Sequence, residues 1–303
     1  MTNYTRIPLT MDFMFKNVFG SYGNEDILKA FLETILKIKI TEIQIQNGEL
    51  QKNNKENKLG ILDIRAKVNN GTTVNIELQM NNESNLGERL LYYSSKLYSS
   101  TLKIKENYAN ADKTIVIALI NFNYYKRPEF HIISHMKFEE NTNKDELVDE
   151  NYLEEKDELL TDKLEIHIID MKRYLKKKDA TGDLADWLNL ILGKGDKIKM
   201  AAKKNKEIKK ANDEVERLSQ TKEMQELYWL EEKARFDENT RQTTAYNNGM
   251  SDGIKKGKKE GIKEGKKEKQ IEIAKKMLLK NIPIETIADI TELSYTEIEN
   301  LKN

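Results

Sequence analysis

Two carboxylates, Asp63 and Glu77, stand in neighbouring runs of alternating apolar and polar residues, 61–68 and 73–80, joined by Asn69-Asn70-Gly71-Thr72. Asn-Gly between alternating runs is a hairpin signal. In the first run Ile61, Asp63, Arg65 and Lys67 share a face and Leu62, Ile64, Ala66 and Val68 share the other. In the second run Thr73, Asn75, Glu77 and Gln79 stand opposite to Val74, Ile76, Leu78 and Met80. A one-residue slip inverts a strand, so the register must match apolar with apolar. A three-residue Asn69-Asn70-Gly71 loop does this and sets Asp63 across from Glu77, with facing Cβ atoms about 4.5–5.5 Å apart. One face then carries two adjacent acids, carboxamides and two cations. Paired acids in a desolvated cleft keep their charge only beside a compensating cation. Mg2+ (or Mn2+) suits such a site, being a hard ion that takes carboxylates, waters and phosphate oxygens. It also makes a water easier to deprotonate and offsets charge on a phosphoryl group. Arg65 and Lys67 would contact phosphate from the same face. A solvated sheet face has the same pattern, and a Lys or Arg neighbour satisfies an acid without metal. Spacing alone leaves both readings open.

The hairpin needs a sheet around it. Residues 12–36 read as helix broken between Gly20 and Gly23, with Ile27, Leu28, Phe31, Leu32, Ile35 and Leu36 at helical spacing after an Asp26 N-cap. A strand is expected at 41–47 and a polar loop at 51–58. After the hairpin, residues 85–106 read as a helix whose Leu90, Leu97 and Ile104, seven apart, form a buried stripe flanked by Arg89, Tyr92, Tyr93 and Lys96. The apolar run 114–120 reads as a strand covered on both faces. Two more strands, 130–138 and 164–171, flank an acidic excursion at 139–162, and a short helix at 183–192 closes the body. His131, His135 and His167 lie in or beside these strands and read as structural, because no Cys or further ligand accompanies them.

Composition narrows the classes. The chain has 303 residues, no Cys and 3 His, which excludes a disulfide scaffold, thiolate metal sites and Cys nucleophiles. No apolar run approaches the ~18 residues of a membrane span. The first residues lack the basic-then-apolar order of a signal peptide, so the expected location is the cytoplasm. Charged residues make up 34% of the chain, more than one compact globule usually carries, so a core-bearing half should continue into a polar, helical half.

Several short motifs, in order, resemble one family. Asp12-Phe-Met-Phe-Lys16-Asn-Val-Phe19-Gly20 resembles the opening helix of recombination-promoting nucleases, the Rpn branch of the PD-(D/E)XK superfamily, also labelled PD-(D/E)XK family transposases. Leu62-Asp63-Ile64 and Asn75-Ile76-Glu77-Leu78-Gln79 resemble its metal-site strands, and Arg89-Leu-Leu-Tyr92-Tyr93 resembles the helix that follows. The resemblance implies an α/β restriction-endonuclease-like core, a mixed sheet flanked by helices, with Asp63, Glu77 and the backbone carbonyl of Leu78 holding Mg2+. Gln79 takes the place where most of the superfamily has Lys, as in the branch itself. A carboxamide orients a water but supplies no positive charge, which leaves that role to Lys16, Lys67 or Arg89. Leu62 stands where the motif's proline would be. Asp12 is the candidate upstream acid, although a helix N-terminal acid is also favoured by the macrodipole alone. Arg89 would grip a phosphate bidentately, with Tyr92 beside it.

Beyond the nuclease-like residues 1–195, residues 196–248 read as a Lys/Glu-rich solvated or coiled-coil helix. Residues 249–303 combine a glycine every fourth position, from Gly249 to Gly265, with a helix-turn-helix-like tail. Ser294 would cap the last helix, whose Glu297 and Glu299 favour a packing module over a DNA reader. The expected protein is a Mg2+-dependent DNA endonuclease that assembles as a homo-oligomer through its C-terminal helices. The rival is a catalytically degenerate nucleic-acid-binding, assembly or regulatory protein on the same fold.

Overall fold

The computed structural model describes residues 4–46, 64–69, 71–81, 85–138, 159–177 and 179–301. The chain divides into two compact units, Met1–Tyr228 and Trp229–Asn303.

The first unit is built on a six-stranded mixed sheet: β1 (Ile43–Gln46), β2 (Ile64–Val68), β3 (Thr72–Gln79), β4 (Lys113–Ile120), β5 (His131–Lys137) and β6 (Leu159–Asp170), in the spatial order β1-β2-β3-β4-β6-β5. The strands β1, β2 and β3 run antiparallel, β3, β4 and β6 are parallel, and β5 returns antiparallel to β6. The β2–β3 pairing sets Ile64 against Ile76, Arg65 against Asn75 and Val68 against Thr72, which is the apolar-with-apolar register with three residues in the turn. Asn69 opens that turn at φ 48°, a left-handed conformation that Asn tolerates better than most residues. Its side chain fixes the turn to the preceding segment, with Oδ1 accepting from the Thr41 amide at 2.8 Å and Nδ2 donating to the Lys39 carbonyl at 2.9 Å.

Helices cover both faces. On one, Ile64, Ala66, Val74, Ile76, Ile115, Ile117 and Leu119 join a core with α1 (Asp12–Phe19), α2 (Glu25–Leu36) and α5 (Asp183–Ile191). Phe19, Phe31 and Trp187 meet there with ring centroids 5.0–5.8 Å apart. The break between α1 and α2 falls at Gly20, where a Cβ would lie 2.8 Å from the Lys16 carbonyl oxygen, so only glycine fits without displacing backbone. On the other face, α3 (Leu86–Ser99) sets Leu86 and Leu90 over Val116, Ala118, Ile120 and Ile168. A short α4 (Met171–Lys176) is capped by Asp170.

Two expectations change. The helix read over 85–106 ends at Ser99, and the hydroxyls of Ser99, Ser100 and Thr101 donate back to the carbonyls of Lys96, Leu97 and Tyr98. Such back-bonding competes with helix propagation. Leu97 is buried, but Ile104 falls past the end and is 94% exposed, so it belongs to no stripe. The Lys/Glu-rich segment after residue 195 is also not one solvated helix. It forms α6 (Gly195–Lys204) and α7 (Lys206–Ser219), separated by Asn205, which caps α7 by accepting from the Glu207 and Ile208 amides at 2.9 Å. Ile198, Ala201, Ile208, Ala211, Val215 and Leu218 join the first unit's core.

Helix α8 (Lys222–Leu278) begins in the first unit and supplies most of the second. There Ala274 packs with Ile287 of α9 (Ile284–Thr291), Ile298 of α10 (Tyr295–Asn300) and Leu293 from the turn between them. Ser294 caps α10 in a full capping box with Glu297, as its position led us to expect. Among the described residues, no helix is long and apolar enough to cross a membrane.

Candidate functional site

Strand β3 lies between β2 and β4, and burial decides whether its polar alternation faces water. Thr73, Asn75 and Glu77 are all buried, Asn75 completely and Glu77 to 6% exposure. The solvated-face reading therefore does not hold for this strand. Buried polar groups need partners, and Asn75 supplies one: its Nδ2 donates to Glu77 Oε1 at 2.8 Å. The two side chains are adjacent on one face of the strand, and the amide fixes the carboxylate. Sequence reading placed Asn75 on the right face but gave it no role; the Asn-x-Glu spacing was the available signal.

Arg65 lies directly across from Asn75. Its Nε and the Asn75 Oδ1 are both buried and lack a hydrogen-bond partner among the described residues. Burial pushes the Arg65 guanidinium below its ordinary value, yet Arg does not deprotonate in proteins. A half-buried cation, across from the residue that holds the carboxylate, thus stands on the polar strip together with an unpartnered carbonyl oxygen. Gln79 continues the strip, half-buried, with Nε2 donating to the Asn81 carbonyl at 3.1 Å. Asp63, and Leu62 before it, lie outside the described residues.

The other candidates are distributed around this strip. Lys67 sits opposite Thr73, four residues from the Glu77 position and about 13 Å along the strand, and is ion-paired to Asp112 at 2.9 Å. The structure does not bring it to Glu77. Asp12 and Lys16 lie on α1, in the layer packed on the opposite face of the sheet from the strip, and pair with each other at 2.8 Å across one turn, an interaction that satisfies the acid without metal. On α3, the Arg89 guanidinium lies 5.8 Å from the Tyr93 ring centroid and Lys96 Nζ 5.6 Å from that of Tyr92. These cation–ring pairs at four-residue spacing hold two positive charges on α3, which packs over β4, the strand beside the strip; Tyr92 itself is 43% exposed.

The histidines form their own group at the far edge of the sheet. His131 Nε2 and His167 Nδ1 are 3.0 Å apart, and His167 Nε2 lies 3.5 Å from Glu165 Oε2. Burial and the neighbouring His167 push His131 down to about 4, and burial lowers His167 despite Glu165. Among the described residues, no three His, Asp or Glu side chains converge to hold a metal.

The mixed sheet with its two helical layers defines a PD-(D/E)XK type of α/β core. A family model described as PD-(D/E)XK nuclease family transposase matches residues 9–245, and the chain belongs to that family. No curated protein and no solved structure matches it. The membership gives it a nuclease- or transposase-type function with DNA as the implied substrate, and nucleases of this class generally use divalent metal ions.

Proposed function

We propose that the protein is a metal-dependent DNA endonuclease that hydrolyses backbone phosphodiesters, with Asp63 and Glu77 holding Mg2+ or Mn2+ and the Leu78 carbonyl as a further ligand. The observation that carries this reading is Glu77: a buried carboxylate, positioned by Asn75, on a strip that also holds a desolvated Arg65. The described ladder ends with residue 64 paired to 76, and continuing it by one step would set Asp63 across from Glu77. Main-chain groups alternate sides along a strand, and the Gln79 carbonyl accepts from Asn121 on the β4 side. The Leu78 carbonyl is therefore turned toward the β2 side, where Asp63 would stand. Carboxylates, a main-chain carbonyl and the open Asn75 Oδ1 are all hard oxygen donors, the set that Mg2+ and Mn2+ prefer.

When bound, the cation supplies charge neutralisation at the phosphate and makes a water easier to deprotonate. The protein's own groups do the rest. Asn75 keeps Glu77 aimed and accepting. Arg65 offers a desolvated positive charge whose Nε can donate to a phosphate oxygen. Gln79, once its amide leaves the Asn81 carbonyl, orients a water through its carboxamide. Arg89 and Lys96, stacked on tyrosines, hold the substrate backbone over the strip, with Tyr92 at the exposed side. Asp12 and Lys16 would act at the edge, after parting from each other.

Plasmid nicking in Mg2+ tests the assignment. Asp63→Ala and Glu77→Ala should each lower the rate by on the order of 100-fold or more; nicking at the wild-type rate by either variant would overturn it. A second reading, a binding protein that has lost catalysis, draws on Gln79 standing where most of the superfamily has a cation. Calorimetric titration with Mn2+ separates the two, since only the enzyme reading requires metal uptake that disappears with Asp63→Ala.

A further inference from the structure

The segment of α8 from residue 254 to 269 holds eight lysines, three glutamates, three glycines and two isoleucines. Every residue of the helix from Lys233 to Lys269 is exposed. At about 100° per residue, the eight lysines fall within one half of the helix circumference, an arc of about 180°. Gly257, Gly261 and Gly265 fall in the opposite half, together with Glu260, Glu264 and Glu268. The two sets do not overlap. Lys256 and Glu260, Glu260 and Lys263, and Glu264 and Lys267 stand three or four apart along the boundary of the two halves, yet none of these closes as an ion pair among the described residues. Here the charge is sorted by side.

Ion pairs within the unit use only the end of the lysine face: Lys266 meets Glu292 at 3.0 Å and Lys267 meets Glu297 at 2.9 Å. The other six, Lys255, Lys256, Lys258, Lys259, Lys263 and Lys269, have no ion-pair partner among the described residues. Over 14 residues of rise they span about 21 Å, the axial length of about six base pairs of duplex. Two other partners fit poorly. A coiled coil needs an apolar seam, and Ile254 and Ile262 are the only apolar side chains in the segment. A membrane-surface helix needs an apolar face opposite its lysines, where this helix has glycine and glutamate.

We propose that the lysine face of residues 255–269 is a phosphate-binding surface that lies along double-stranded DNA, independently of sequence. The glutamate–glycine side repels phosphate and so fixes which way the helix turns. The choice of DNA as the polyanion rests on the nuclease reading; the surface itself does not, and the test needs no cleavage.

Full-length protein is titrated onto a fluorescent 30-base-pair duplex in EDTA across a series of NaCl concentrations. Neutralising three lysines by Lys255→Gln, Lys259→Gln and Lys263→Gln together should flatten the plot of log K against log salt by about 2.7. Gln keeps the helix propensity close to that of Lys, and circular dichroism checks that the arm stays helical. Glu260→Gln with Glu264→Gln, on the opposite side, should leave the slope no shallower. Glu292→Gln with Glu297→Gln, which frees two lysines and keeps a capping-box residue at 297, should steepen it by up to about 1.8. An unchanged slope in the triple-lysine variant with an intact helix overturns the proposal. So does a loss of binding by that variant confined to phosphatidylserine vesicles, with duplex binding intact. Nicking defects in the Asp63 and Glu77 variants bear on the catalytic reading alone, because those proteins keep the arm.

Discussion

Asn75 holds the Glu77 carboxylate, and that gives the site a test finer than removing the acid. With Asn75→Leu the carboxylate loses the amide that holds it at 2.8 Å and is left buried with one donor fewer. Stability should fall by about 1–3 kcal/mol, and Mn2+ affinity measured calorimetrically should drop by roughly 10–100-fold. A variant that loses stability but binds Mn2+ as the wild type does would make Asn75 a packing residue only. The histidines make a separate prediction from a different corner of the sheet. His131 is half-buried against His167, with Glu165, Lys113, His135 and Lys37 around the pair, and its value falls from 6.5 to about 4. The unfolded chain therefore binds a proton that the folded protein refuses. The stabilisation is complete above pH 6.5 and is lost as pH falls toward about 4, at close to 1.4 kcal/mol per pH unit for one proton. Urea unfolding at pH 7, 6, 5 and 4 should show this loss, and His131→Asn should make it shallower. A variant with the wild-type dependence would place the sensitivity in the carboxylates instead.

At the scale of elements, the glycine stripe of α8 gives a prediction of its own. A Cβ added at Gly249, Gly253, Gly257, Gly261 or Gly265 would meet nothing within 4 Å, yet each glycine costs a helix about 1 kcal/mol relative to alanine. Gly257→Ala with Gly261→Ala should therefore raise the helical signal at 222 nm and delay its thermal loss. A drop would reveal a close approach of another surface to the stripe. Elements were legible in the sequence where local chemistry settles them. Alternation and Asn-Gly gave the β2–β3 register; Ser294 as an N-cap gave the start of α10. Elements that depend on distant chain were not legible. Ile104 continues a seven-residue spacing, but three hydroxyls in a row end α3 before it. In α7, Ile208, Ala211, Val215 and Leu218 have helical core spacing, but sparse apolar residues among many lysines read as solvated until the partner surface is known. For the candidate site, the sequence carried the face and the residue types. It could not carry the burial of that face, because β4 and the helix α3 packed over it come from outside the hairpin.

At the scale of the molecule, the division after Tyr228 makes a prediction about where the chain can be cut. Composition changes at about residue 196, and a truncation designed from it would end there. That cut removes α6 and α7 with Ile198, Ile208, Val215 and Leu218, each a buried side chain worth about 1.5–3 kcal/mol. It also removes the partners of the N-terminal segment, where the Ile7 amide donates to Ser219 Oγ at 3.0 Å, Gln225 Nε2 donates to the Thr5 carbonyl at 2.7 Å and Arg6 pairs with Glu216. Losses of that size rival the whole stability of a domain, about 5–15 kcal/mol. A chain of residues 1–195 should aggregate or melt without cooperativity, whereas residues 1–228 should remain monodisperse and unfold in one transition. Equal cooperative melting of the two would show that α6 and α7 only rest on the core. The longer fragment also separates cleavage from DNA holding, because it keeps the β3 strip and lacks the lysine face. It should nick plasmid in Mg2+ with a salt dependence of binding shallower than that of the full chain, by about 0.9 for each lysine–phosphate pair that the arm would make. Nicking abolished in a fragment that folds would place an essential part of the reaction in the arm and set aside the view that the arm only holds DNA.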